Sequence, residues 1–106
     1  MSVYTPDRWV VLELSNDKQF ARKVFAGWRG GYLDGDSWKL NSGITETRDT
    51  GEWFEFDGYS GSTYRCHKEF YGMTSYQQSI LANWITKAEG TSTKIRIISL
   101  EDITVS

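Results

Sequence analysis

Three features of the 106-residue chain point to an α+β fold: five to six mainly antiparallel strands, able to curl toward a barrel, with one amphipathic helix packed on them. Stretches of period-two alternation separated by Gly-, Asn- and Asp-rich turns supply the strands. A single stretch, Tyr76 to Ala88, carries apolar residues at helical spacing. That apolar stripe has only the sheet's apolar face to pack on. No repeat, low-complexity tract or linker divides the chain, so residues 1–106 are expected to form one domain.

Arg8 to Leu14 places Val10, Leu12 and Leu14 on one face and Trp9, Val11 and Glu13 on the other, as a strand does. Ser15-Asn16-Asp17-Lys18 supplies turn chemistry. Ala21 to Trp28 then sets Val24, Ala26 and Trp28 opposite Lys23 and Phe25, and the two strands are expected to pair as an antiparallel hairpin. Arg29 to Ser37 is a glycine-dense loop. Trp38 to Leu40 and Ile44 to Arg48 read as strand, interrupted at Asn41-Ser42-Gly43 by a bend or bulge. Asp49-Thr50-Gly51 leads into Trp53 to Gly58, Ser60-Gly61-Ser62 turns the chain, and Thr63 to Lys68 returns. Trp38 to Lys68 is therefore expected as three meandering strands. The helix lies between Thr74 and Glu89. Thr74 or Ser75 caps it, Gln77 or Gln78 falls in capping-box register, and Gly90 suits the C′ position. Lys94 to Leu100 forms a last strand, with Ile95 and Ile97 alternating against Lys94, Arg96 and Ile98.

Composition narrows the function. Seven basic and eight acidic residues precede and include Trp53, and five and six follow, so the net charge of −2 is spread evenly. That balance argues against a duplex-DNA binder working by phosphate neutralisation. One cysteine excludes an internal disulfide and a Cys-rich zinc site, and no second histidine accompanies His67, so no metal or cofactor is expected. Met1 to Asp7 has no signal-peptide pattern and the longest apolar run is Trp9-Val10-Val11-Leu12, so a cytoplasmic protein without membrane association is expected. Cys66 reads as a reduced, buried thiol.

Sixteen residues are Phe, Trp or Tyr, and eleven of them fall between Phe25 and Tyr71. A domain of this size cannot bury them all and still hydrogen-bond every indole and phenol, so some rings must lie at a surface or interface. Trp28, Tyr32, Trp38, Tyr59 and Tyr64, each flanked by polar or glycine residues, are the candidates; Trp9, Phe25, Trp53 and Trp84 are assigned to the core. Trp28-Arg29-Gly30-Gly31-Tyr32 offers backbone N–H groups and a guanidinium to an anion, or is simply a turn. Tyr64, Arg65, His67 and Lys68 form the most basic short segment. With Arg29 and Lys39 they make either a positive, aromatic-bordered pocket that stacks a base and pairs a phosphate, or a charged edge strand.

Catalysis finds little support. Cys66 and His67 are neighbours on a strand and point to opposite faces, so they form no dyad. Ser42 and Ser60 lie outside a GxSxG elbow. The pairs Asp34 with Asp36 and Glu52 with Glu55 are of a kind any chain this long contains, so no catalytic residue is assigned.

Trp28-Arg29-Gly30-Gly31-Tyr32-Leu33-Asp34-Gly35-Asp36-Ser37-Trp38-Lys39-Leu40-Asn41-Ser42-Gly43-Ile44 and Gly58-Tyr59-Ser60-Gly61-Ser62-Thr63-Tyr64-Arg65-Cys66-His67-Lys68, followed by Tyr71-Gly72, resemble small accessory proteins of tailed bacteriophages. The resemblance spans roughly Tyr4 to Met73 and carries over no catalytic residues. It implies a protein made in an infected bacterium, one that binds a host protein or sequesters a nucleotide signal of host defence. The expected function is therefore non-enzymatic binding of a small phosphorylated ligand, in a pocket enclosed by a homo-oligomer. The ligand residues would be Trp28, Arg29, Gly30, Gly31, Tyr32, Trp38, Lys39, Tyr64, Arg65, His67 and Lys68. Two alternatives are a module that binds a host protein through an exposed aromatic patch and a single-stranded nucleic-acid binder.

Overall fold

A computed structural model describes residues 2–30 and 35–105. In chain order it contains β1 (Val3–Tyr4), β2 (Arg8–Ser15), β3 (Phe20–Trp28), β4 (Ser37–Leu40), β5 (Ile44–Asp49), β6 (Trp53–Gly58), β7 (Thr63–His67), α1 (Ser75–Ala88) and β8 (Lys94–Ile97), with short 3₁₀ turns at Lys68–Phe70 and Leu100–Asp102. The expected α+β class holds, but the strands form two sheets rather than one. The first runs β4-β3-β2-β8 and the second β1-β7-β6-β5; only the β1–β7 pairing is parallel.

The hairpin of β2 and β3 pairs Trp9 with Ala26 and Val11 with Val24. These four side chains face the second sheet, where Phe54, Phe56, Tyr64 and Cys66 meet them in a core that Ile98 completes. The alternate residues Val10, Leu12 and Phe25 face α1 and pack around Leu81. β2 is thus covered on both faces, which is why Trp9-Val10-Val11-Leu12 is apolar without a break. The order of layers is helix, first sheet, second sheet.

Helix α1 starts as its sequence dictates. The Thr74 hydroxyl accepts from the Gln77 amide at 3.1 Å, and the Gln77 side chain accepts from the Thr74 N–H at 3.0 Å. Leu81 is buried and Ile80 and Trp84 pack beside it, whereas Tyr76 and Ile85, at the edges of the stripe, stay exposed. Gly90 takes the left-handed conformation (φ 81°) beyond the C-cap Glu89.

The expected three-strand meander over Trp38 to Lys68 needs correction. β5, β6 and β7 form it, but Trp38 to Leu40 belongs to the other sheet, paired with Phe25 to Gly27. Asn41-Ser42-Gly43 is the crossing between sheets. Asn41 donates its N–H to the Val24 carbonyl at 2.9 Å and accepts the Val24 N–H on its side-chain oxygen at 2.8 Å, closing the last rung on β3 with a side chain. The chain is then free to leave: Gly43 adopts φ 133°, and the Ser42 hydroxyl accepts from the Ser60 N–H in the turn between β6 and β7.

Candidate functional site

On β6 and β7 the inward residues Phe54, Phe56, Tyr64 and Cys66 alternate with Trp53, Glu55, Asp57, Thr63, Arg65 and His67, which face away from the core. This outer face carries an ordered row of side chains. The Arg65 guanidinium lies 3.9 Å from the Trp53 ring centroid. His67 meets the same indole edge-on at 4.7 Å, and Phe70, 44% exposed, continues the row at 4.9 Å from His67. His67 is fixed by its own turn, its Nδ1 accepting from the Glu69 N–H at 3.1 Å.

Beside the row runs a charge network. Arg48 donates two hydrogen bonds to Asp57, at 2.7 and 2.9 Å, and reaches Glu55 at 3.3 Å and Glu46 at 3.6 Å. Arg65 approaches Glu55 at 3.6 Å. Arg48, with help from the Thr63 hydroxyl, lowers the Asp57 carboxyl from 3.8 to about 2. A group depressed in the folded state stabilises fully above its unfolded value and loses that contribution as pH falls through the folded one. Stability is therefore expected to decline between about pH 4 and pH 2 through Asp57, and Asp57→Asn to flatten that decline. Urea midpoints measured across this range test it, and parallel wild-type and variant curves would refute it.

The described residues of the proposed pocket do not share one surface. Arg65 and His67 are on the outer face, whereas Lys68 turns to the opposite side, its ammonium 4.7 Å over the inward-facing Phe54 ring and 2.7 Å from Asp49. Tyr64, expected near a surface, is 4% exposed and points into the core, because its neighbours in the strand alternate sides. Its ring packs on Tyr4 at 5.2 Å, Trp28 meets Tyr4 at 6.3 Å, and Lys39 lies 5.0 Å over the same ring. Trp28 is half-buried, its indole N–H donating to the Thr5 carbonyl. Trp38 lies on the helix side of the first sheet, against Phe25 and Trp84. The Arg29 N–H donates to Asp7 and the Gly30 N–H to Asp36, so carboxylates already occupy these backbone donors. Gly31, Tyr32 and Asp34 lie outside the described residues. The nine described positions therefore do not converge on one pocket.

The core assignments hold for Trp9 and Phe25, which are fully buried, and Trp84 is half-buried. Trp53 is corrected to the outer face; it stands in phase with Glu55 and Asp57 along β6, and that alternation was the signal for it. Cys66 is fully buried and burial pushes its thiol well up, so it is held as an unreactive neutral group. Among the described residues, no helix is long and apolar enough to cross a membrane.

A second feature opens between the sheets. A cleft of about 260 Å³ has Val11, Phe56 and Ile98 among its lining, with Phe20 and Tyr59 at 63% and 78% exposure beside it. Sequence reasoning missed it because its walls come from β2, β3, β5, β6 and the chain beyond β8. Compared with known protein families, curated proteins and solved structures, the chain matches none.

Proposed function

We propose that the protein is a non-enzymatic interaction protein that docks a protein partner through the outer face of the second sheet. The observation that carries this reading is the row Arg65, Trp53, His67 and Phe70, stacked in contact on a solvent-facing sheet surface. Trp and Arg are the residue types that dominate interface energetics. Their mutual stacking fixes their rotamers before binding, which lowers the entropy lost on association. The neighbouring charges favour a protein partner over a phosphate. Arg48 and Arg65 already face Glu46, Glu55 and Asp57, so the face presents mixed charge rather than a vacant cationic site. This reading is in keeping with the resemblance to phage accessory proteins, which implies a partner in the cytoplasm of an infected host.

Trp53→Ala and Arg65→Ala are each expected to weaken a captured host partner about tenfold or more, measured by biolayer interferometry, while Phe20→Ala at the cleft leaves it unchanged. Equal affinity for all four proteins, or the lack of any specific host partner, would remove this reading.

Capture of a small anionic ligand is the second reading, favoured by the cleft between the sheets rather than by the dispersed residues of β3, β4 and β7. A homo-oligomer would enclose such a ligand further, and native mass spectrometry counts both copies and adducts in one spectrum.

A further inference from the structure

Resting on that second reading, we propose that the cleft between the sheets binds a small aromatic anion, its ring between the apolar walls and its acid group on Arg22. Three observations converge. The floor is apolar and packed: Val11, Phe56 and Ile98 are at most 1% exposed, and all belong to the core. The rim is aromatic, with Phe20 and Tyr59 presenting rings to solvent beside the opening. Tyr59 is seated by design of the backbone, since a Cβ at Gly43 would come within 2.9 Å of its ring. An apolar floor with exposed rings at its mouth suits a flat apolar body of limited size.

The charge at the mouth sets the sign of the ligand. Arg22 is the one charged side chain among the described residues lining the cleft. It donates through Nε and Nη2 to one oxygen of Glu13, at 3.3 and 3.2 Å. Arg96 binds the same carboxylate at 2.9 and 3.3 Å. Two guanidiniums thus share the Glu13 carboxylate, Asp102 balances the outer one, Arg96, and the Nη1 of Arg22 donates to no acceptor among the described residues while its guanidinium lies 5.9 Å from the Phe20 ring at the mouth. An anion there gains a charge-assisted hydrogen bond that a neutral ligand of the same shape does not. Carboxylate and phosphate monoester share this chemistry.

Three probes of one shape separate the components: 1-naphthoate, 1-naphthyl phosphate and the neutral 1-naphthamide, each titrated into the full-length ¹⁵N-labelled protein. Saturable shifts of the Val11, Ile44, Thr47 and Ile98 amides are expected for the two anions, with dissociation constants on the order of 1 mM or below. The amide should bind roughly tenfold more weakly. Arg22→Gln should erase that tenfold preference, and Thr104→Trp, which narrows the mouth from an exposed position, should weaken all three probes. If only one of the two anions binds, that one names the headgroup and the proposal stands. If the neutral amide binds as well as the anions, the assignment to Arg22 is wrong although small-molecule capture survives. If no probe shifts these amides, the cleft is not a binding site and the second reading loses its support with it, while docking on the outer face is untouched.

Discussion

Gly27→Ala is expected to destabilise the protein by about 2–4 kcal/mol, as overpacking of a closed site does, although glycine-to-alanine in a strand is ordinarily favourable by about 0.4–1 kcal/mol through the unfolded chain. A Cβ at Gly27 would lie 2.2 Å from Oε1 and 2.3 Å from Cδ of Gln77. A long polar side chain could normally swing away, but Gln77 is fully buried and held at both ends. Its oxygen accepts from the Thr74 N–H and its Nε2 donates to the Phe25 carbonyl at 3.1 Å. Displacing it breaks the reciprocal half of the capping box and leaves two buried backbone groups, the Thr74 N–H and the Phe25 carbonyl, without partners, each costing about 1–3 kcal/mol. The glycine is therefore the seat on which the helix N-terminus rests on the first sheet. Urea denaturation of Gly27→Ala, Gln77→Ala and the double variant tests this. The double variant should be less destabilised than the two single costs together, by roughly 1–2 kcal/mol of coupling. Additive costs would show that the two residues do not meet as described.

The capping register of that helix was legible in the sequence, because Thr74 and Gln77 are neighbours and their bond is local. What Gln77 does beyond the cap was not, since its second partner lies 52 positions away and polarity alone argues for exposure. The same division runs through the fold. Period-two alternation located β2, β3, β6 and β7, yet the assignment of strands to two sheets turns on the contact of Asn41 with Val24, 17 residues apart. No local pattern distinguishes a bend within one sheet from a crossing between two. For the candidate site, the alternation that separates Cys66 from His67 also separates Tyr64 from Arg65 and sets Trp53 beside Glu55 and Asp57. Those placements were available to the sequence. The cleft was not, because only the stacking of the sheets brings Phe20, Arg22 and Tyr59 to one opening.

Tyr71→Phe isolates one hydroxyl group that joins this architecture, and it is expected to cost about 2–3 kcal/mol. The Tyr71 phenol accepts from the Val11 N–H at 3.1 Å and donates to the Ile98 carbonyl. Ile98 itself donates its N–H to the Val11 carbonyl at 3.1 Å. The phenol is thus inserted into the ladder where β8 ends at Ile97, holding the strand apart from β2 while satisfying both backbones. Phenylalanine keeps the ring that packs edge-on against Trp9 at 4.7 Å, so the loss reports on the hydroxyl alone. Two buried backbone groups, the Val11 N–H and the Ile98 carbonyl, are left without a partner. Because both residues line the floor of the cleft, the variant should also weaken binding of an aromatic anion there. Burial raises the Tyr71 phenol above its ordinary value. Its contribution is full below that ordinary value and is lost as pH climbs through the raised one, so Tyr71→Phe should also soften alkaline unfolding. Hydrogen exchange gives the sharpest reading: the Val11 amide should lose protection beyond the global change in stability. A Val11 amide that exchanges no faster than the rest of β2 in the variant would show that the phenol does not bridge the strands.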